Sequence, residues 1–214
     1  MIGQLQGFRV SPQQRHLWLV QDGSTAFHAR CAALIDGELD VDALRSAVAT
    51  VVQRHEILRT VFQRTPGVKV PLQVVTEEAE FEWSETNPTF DGELEALASD
   101  VWDYEHGPML RARLVCVSPE KHVLMIALPA LCSDAVGLKN LVHEITQTMQ
   151  GDSDEEIAQY VDLAEWQNEL FESEDANTGR EFWLNRILNL PVTQRLPFEH
   201  QSESGFEPAV IKRT

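Results

Sequence analysis

The chain has 214 residues, of which 43% are hydrophobic, and its formal net charge is −17. This length predicts one domain or one large lobe of a bigger domain, with enough apolar residues for a sizeable core. Acidic residues concentrate at 77–105 and 152–181. Such a surface repels phosphate groups and anionic lipid, which argues against nucleic acid and membrane as partners. We interpret these acids as solvated faces, with a face that orients a basic partner as the alternative.

The sequence contains no apolar stretch long enough to cross a membrane, and its N-terminus lacks the pattern of a secretory signal. We therefore expect a cytoplasmic protein. Cys31, Cys116 and Cys132 stand far apart without a CxxC pair, so they predict neither a disulfide framework nor a zinc site. We expect them to be small buried side chains. The histidines show no ligand spacing, and no metal site is expected.

The first half of the chain predicts a helix, a strand and a second helix. Ser11 and Pro12 favour the start of a short helix, because Ser caps and Pro suits the first helical position. Residues 27–36 predict a strand that ends at Gly37. Asp40 is the predicted cap of a helix with an apolar stripe at a period near 3.6. The stripe consists of Leu44, Ala47, Val48, Val51, Val52 and Leu58.

The second half predicts a strand hairpin between helices. Runs 109–117 and 122–130 are interpreted as two central strands, the second covered on both faces because it is almost wholly apolar. Pro71 predicts that the strand at 68–75 lies at a sheet edge. The remaining predicted elements are a strand at 80–84, helices at 92–104, 155–172 and 176–188, a helix with Leu138, Leu141, Val142 and Ile145 on one stripe, and a tail or linker at 198–214. Together they predict an α/β unit with a mixed sheet and helices packed on it.

Several short motifs carry a more specific signal. Residues 54–62 read RHEILRTVF, which by composition alone is a helix end whose basic residues favour the dipole. The same string resembles, at every specified position, the RHExLRTxF motif of nonribosomal peptide synthetase condensation domains. Residues 11–19 resemble that family's opening SxAQxRLWxL motif. Further matches are YVDLAEW at 160–166, which resembles YxDFAxW with Leu163 in the aromatic position, GPMLR at 107–111, and the Phe182–Trp183 pair.

The resemblance implies a chloramphenicol-acetyltransferase-like fold, an α+β sandwich built of two lobes. Residues 8–197 would form the N-terminal lobe, and 198–214 would be a tail or linker toward a C-terminal lobe whose motifs find no match. The resemblance also implies partners. These are peptidyl or acyl carrier proteins with their phosphopantetheine arm, adjoining synthetase domains, or a tailoring enzyme that acts in trans. No cofactor is expected to bind directly. A lone lobe exposes apolar surface that it would turn toward its partner lobe, so we expect a dimer, a complex, or a fragment of a larger synthetase.

The family's active-site motif, HHxxxDG, is degenerate in this chain. Pro129 stands at the first His and Ala130 at the second, the residue to which catalysis is usually assigned, while Asp134 is retained and Ala135 replaces Gly. Amide formation needs a group that accepts the amine proton, and alanine has none. Pro129 also excludes the DxxxxD pattern of the cyclising subfamily. Cys132 is a weak candidate nucleophile, because it would need a nearby His or cationic group.

The resemblance further implies that Asp134 pairs with an Arg of the 54–62 motif, and Arg59 is the predicted partner in a structural ion pair. The functional hypothesis is a catalytically degenerate module that binds carrier proteins or trans-acting enzymes. The alternative is an acyl or peptidyl transferase that works by positioning two tethered substrates, with a second lobe from elsewhere. A CoA-dependent acetyltransferase is disfavoured, because its chemistry also depends on the missing His.

Overall fold

A computed structural model describes residues 7–21, 26–86, 96–97, 101–151 and 157–187. Its contacts divide the chain into two compact units, Met1–Asn168 and Glu169–Thr214. The first unit contains β1 (Gly7–Arg9), α1 (Pro12–Gln21), β2 (His28–Asp36), α2 (Val41–Arg54), a 3₁₀ turn (Glu56–Arg59), β3 (Thr60–Gln63), β4 (Leu72–Val75), β5 (Glu82–Thr86), β6 (Arg111–Ser118), β7 (Lys121–Pro129) and α3 (Ala135–Gln150). Helix α4 (Tyr160–Glu172) begins in the first unit and ends in the second. The second unit continues with a 3₁₀ turn (Glu174–Ala176) and α5 (Asn177–Ile187).

Capping side chains set the ends of the two long helices of the first unit. The Asp40 carboxylate accepts a hydrogen bond from the Ala43 N–H at 2.9 Å and starts α2. The Asp134 carboxylate accepts one from the Gly137 N–H at 2.7 Å and starts α3. Helix α3 ends at Gly151, whose φ of 88° lies in the left-handed region that glycine adopts without strain.

The main sheet has the strand order β2-β7-β6-β5, with β5 parallel to β6 and the other neighbours antiparallel. The predicted mixed sheet and the predicted central hairpin are therefore both confirmed. Strand β7 is buried on both faces as expected. Leu124, Ile126 and Leu128 join α2 and α3 in one core cluster. The alternate residues of β7 lie in a second cluster, which consists of Leu97, Trp102, Val115, Val123, Met125 and Ala127.

A second sheet, with the order β1-β4-β3, was not expected from the sequence. Its middle strand is β4, so the prediction that Pro71 marks an edge strand is wrong. Pro71 lies one residue before the strand, and its missing N–H removes nothing from either ladder of β4. A third cluster includes Phe62 of β3 and Val74 of β4, together with Val10.

The predicted helix at 92–104 falls largely outside the described residues. Within the described part, Ala96 and Leu97 are helical, whereas residues 101–103 have no regular structure and 104–106 form a turn. The predicted tail at 198–214 lies outside the described residues as well. None of the helices in the described ranges is long and apolar enough to cross a membrane.

The core predicts a clear contrast between two leucines. Leu114 in β6 is fully buried, whereas Leu19 in α1 is 52% exposed. Leu114→Ala should lower the free energy of unfolding by about 2–5 kcal/mol, because it removes buried methyl groups and leaves a cavity. Leu19→Ala should change it by less than about 0.5 kcal/mol. Urea denaturation followed by far-UV circular dichroism measures both, and equal effects would contradict the packing described for β6.

Candidate functional site

The degenerate motif lies where β7 ends. Pro129 is the last residue of the strand and pairs with His28. The Ala130 N–H donates to the Phe27 carbonyl at 3.0 Å, and the Cys132 N–H donates back to the Pro129 carbonyl at 2.9 Å. Pro129 is tolerated here because the ladder between β7 and β6 has already ended at Ala127. The chain therefore turns sharply at Ala130, the position at which the resemblance implies the second His of the motif.

A cleft of about 380 Å³ opens at this turn. We call it the motif cleft. It is lined by Gln13, Gln14 and Leu17 of α1, by residues 130–134, by Gly137 and by Tyr160. Within the part of the chain that the structure describes, no histidine lines the motif cleft. The described residues also contain no cluster of His, Cys, Asp and Glu side chains that could hold a metal ion.

The side chain of Gln14 fixes the wall of the motif cleft, and it is 2% exposed. Its amide nitrogen donates to the Leu131 carbonyl and to Gln73 Oε1, each at 3.0 Å. Its amide oxygen accepts from the Ser11 N–H at 2.9 Å. Gln73, itself fully buried, donates onward to the Arg9 carbonyl. The opening motif of the sequence thus holds the loop that follows β7, a role that the sequence did not reveal.

The motif at 160–166 joins the same network. The Tyr160 hydroxyl lies 2.8 Å from the Ser11 hydroxyl, within hydrogen-bond distance. The Glu165 carboxylate binds the Arg9 guanidinium, with 2.9 Å between Nη2 and Oε2, and also accepts from the Arg9 N–H. These two contacts tie the start of α4 to β1 and α1. They explain why motifs almost 150 residues apart in sequence belong to one site.

The predicted ion pair between Arg59 and Asp134 is absent from the interactions of the described residues. The exposed Asp134 carboxylate is occupied as the cap of α3. The Arg59 guanidinium instead donates to the carbonyls of Thr76 and Gln53 and lies 3.7 Å from Glu56. Arg59 lines a separate cleft of about 310 Å³, so the two side chains belong to different pockets.

The 54–62 motif contacts α3 through a different acid, Glu144. Glu144 of α3 lies 2.9 Å from Arg54 Nη1 and 2.6 Å from His55 Nε2. All three side chains are largely buried, which makes this contact less screened than a surface ion pair. Gln159 adds a second link, since it donates to the Arg54 carbonyl and accepts from the Glu56 N–H. The motif therefore anchors α3, the helix that Asp134 caps.

The environment of Cys132 opposes a nucleophilic role. Cys132 is half-buried and packs against two of the core clusters. Burial raises the pKa of its thiol, which stays protonated at neutral pH and lacks the thiolate that attacks. Burial likewise raises the pKa of the neighbouring Tyr104 to about 12. Neither group supplies a base near Ala130.

Comparison with known proteins places this site in a family. A family model described as Condensation domain matches residues 5–207. Gramicidin S synthase 2 of Brevibacillus brevis is 31% identical over 211 residues, which cover 92% of this chain and 5% of that protein. Bacitracin synthase 3 of Bacillus licheniformis is 27% identical over 208 residues, which cover 92% of this chain and 3% of that protein. The chain thus spans a small part of these curated relatives.

Solved structures share the fold. The X-domain in its complex with OxyB from teicoplanin biosynthesis has a TM-score of 0.79 at 21% identity, covering 94% of this chain and 48% of that chain. The condensation domain from the monacolin K polyketide synthase MokA has a TM-score of 0.76 at 22% identity, covering 90% and 45%. The predicted fold is confirmed, and the chain spans about half the length of these structures.

The Gln14 network predicts a specific loss of stability. Gln14→Leu should lower the free energy of unfolding by about 1–3 kcal/mol, because it leaves buried partners at Gln73 and Leu131 unsatisfied. Gln13→Leu is the matched control, since the exposed Gln13 lines the same cleft without these bonds. Denaturant unfolding measures the stability, and amide hydrogen exchange at residues 131–133 reports the loop. Unchanged exchange in the Gln14 variant would contradict its role as the anchor.

The pKa of Cys132 predicts slow alkylation. A raised pKa in the folded state means little thiolate at neutral or mildly alkaline pH, so iodoacetamide should modify Cys132 about tenfold or more slowly in the folded protein than in urea. Peptide mass spectrometry measures the rates, and Cys132→Ala identifies the peptide. Rapid modification of the folded protein at neutral pH would show a reactive thiolate instead.

Proposed function

Since the chain belongs to the condensation-domain family, we propose that it is a catalytically degenerate condensation domain that serves as a binding module in nonribosomal peptide biosynthesis. Its partners are carrier proteins, with their phosphopantetheine arm, or an enzyme that acts in trans. The observation that carries the proposal is Ala130. It occupies the end of β7, at the motif cleft, where the family's general base would stand.

The groups around Ala130 support the loss of general-base chemistry. The Asp134 carboxylate is engaged with the Gly137 N–H as a helix cap, and the Cys132 thiol is protonated. Gln13, Gln14, Ser133 and Tyr160 bring amide and hydroxyl groups, which bind and orient but are poor proton acceptors at neutral pH.

The frame that shapes the motif cleft, in contrast, is intact. Gln14 holds the Leu131 carbonyl, and Glu144 ties α3 to the 54–62 motif. A cleft kept in shape without a base favours recognition over chemistry. The solved complex of an X-domain with OxyB is an example of this fold bound to a second protein. By analogy, we propose a protein partner here, and the net charge of −17 favours one with a basic surface.

A transferase that works by positioning alone is the competing function. Holding two tethered substrates together removes part of the entropic barrier, so product can form without a base. The two functions differ in what a reconstituted reaction yields, and one experiment separates them.

The test combines binding and product formation. The protein is titrated with an aminoacyl-loaded peptidyl carrier protein by isothermal calorimetry, and the same mixture with an acceptor-loaded carrier is analysed by intact mass. We expect saturable binding without peptide product. Gln13→Arg should weaken binding by about tenfold, because it puts a long charged side chain into the motif cleft. Gln53→Arg makes the same change at an exposed site on α2 and should bind like the wild type.

Two results would refute the binding-module proposal. One is peptide product that forms with the wild type and is lost in Asp134→Asn or Cys132→Ser, which would establish residual catalysis. The other is the absence of binding both to carrier proteins and to trans-acting enzymes that modify carrier-bound peptides.

A further inference from the structure

The outer edge of β2 has a geometry that the backbone hydrogen bonds define. In the ladder with β7, the Ala130 N–H donates to the Phe27 carbonyl and the Gly37 N–H donates to the Glu120 carbonyl. In an antiparallel pair the bonded residues alternate along the strand, so the odd-numbered residues of β2 bond to β7. The N–H and C=O groups of Arg30, Ala32, Leu34 and Asp36 therefore point away from the sheet.

The outer edge of β2 is paired by no described strand from residue 30 to residue 36. Strand β2 is the last strand of the main sheet, and within the described ranges no strand pairs with its outer side along this stretch. Ala32 and Asp36 are exposed, and Leu34 is 59% exposed. The stretch carries no Pro, no Lys and no bulge, which are the features that usually protect an edge from pairing. Among the described residues, it is therefore a regular edge whose outward N–H and C=O groups have no strand partner.

The side chains on this edge are self-complementary. Arg30, Ala32, Leu34 and Asp36 share one face of the sheet, while Ala29, Cys31 and Ile35 pack into the core on the other face. The exposed face thus has a cation, two apolar residues and an anion in order. An antiparallel copy centred on Ala33 places Arg30 opposite the partner subunit's Asp36, and Ala32 opposite the partner subunit's Leu34. A shift by one pair in one direction places Arg30 opposite the apolar Leu34. A shift in the other direction places Arg30 opposite Glu38, beyond the end of β2, and leaves Asp36 opposite Ala32.

We propose that two copies of this chain associate through antiparallel pairing of their β2 edges, which joins the two main sheets into one continuous sheet across a twofold axis. The backbone hydrogen bonds agree with this register. The even-numbered residues, whose N–H and C=O groups point outward, lie opposite the even-numbered residues of the second copy and can bond to them. Opposite charges that face each other directly across two paired strands stabilise the pairing. The twofold axis repeats the contact between Arg30 and Asp36, so one such pair forms at each end of the joined strands. We choose a second copy as the partner because the order of charges along β2 is complementary to the same order read in the opposite direction. The proposal is independent of the proposed function, because the motif cleft uses no residue of β2.

Sedimentation equilibrium of the full chain tests the proposal, against a monomer mass of 24.2 kDa. At about 0.15 M salt, screening limits the long-range repulsion between two acidic copies. We expect a concentration-dependent dimer. Arg30→Asp or Asp36→Arg alone should weaken it by about tenfold or more, because each replaces two opposite-charge pairs with like-charge pairs. The double variant Arg30→Asp/Asp36→Arg should recover the affinity, since it restores both pairs in reverse.

Matched controls separate this interface from general charge effects. Arg45→Asp and Asp42→Arg make the same charge changes at exposed positions of α2 and should dimerise like the wild type. Ala32→Pro removes an outward N–H without touching the ladder to β7 and should abolish the dimer. Circular dichroism confirms that each variant is folded. A monomer at every concentration, a double variant as weak as the single ones, or a dimer that survives Ala32→Pro would each overturn the proposal.

Discussion

The buried side-chain amide of Gln14 is the contact on which the site depends. An amide that is 2% exposed has no water to replace a lost partner, so its bonds to Leu131, Gln73 and Ser11 must all form together. Those bonds join the start of α1 to the middle strand of the small sheet and to the loop after β7. The position of the loop is therefore fixed by α1 and β4, through groups other than the side chain at position 130.

The acid at Glu144 has a comparable effect on α3. The Glu144 carboxylate contacts Arg54 and His55 at the end of α2. These contacts hold α3 against α2 on the same face of the main sheet. The capped N-terminus of α3 then presents Asp134 at the motif cleft. A charge buried with two partners is costly to break, because removing one partner leaves the others unpaired. The 54–62 motif thus helps to position the motif cleft without lining it, because it anchors α3.

Local patterns in the sequence predicted the elements well, because hydrophobic periodicity and capping residues act over a few positions. The hairpin of β6 and β7 and the stripe of α2 are examples. Failures concerned partners that lie far apart. Pro71 was read as an edge signal because the neighbours of a strand are invisible in its own sequence. The predicted pairing of Arg59 with Asp134 has a similar limit, because no local pattern shows that the Asp134 carboxylate caps α3.

The turn at Ala130 is held by backbone hydrogen bonds and not by its side chain. Backbone contacts hold the turn at Ala130, through its N–H to the Phe27 carbonyl and through the Cys132 N–H to the Pro129 carbonyl. An imidazole at position 130 would add a base without adding to this frame. The cleft of about 380 Å³ and its anchors are therefore built from groups other than the side chain at position 130. The proposed binding role would therefore depend on the residues that build the cleft, and proton transfer would depend on the side chain at position 130.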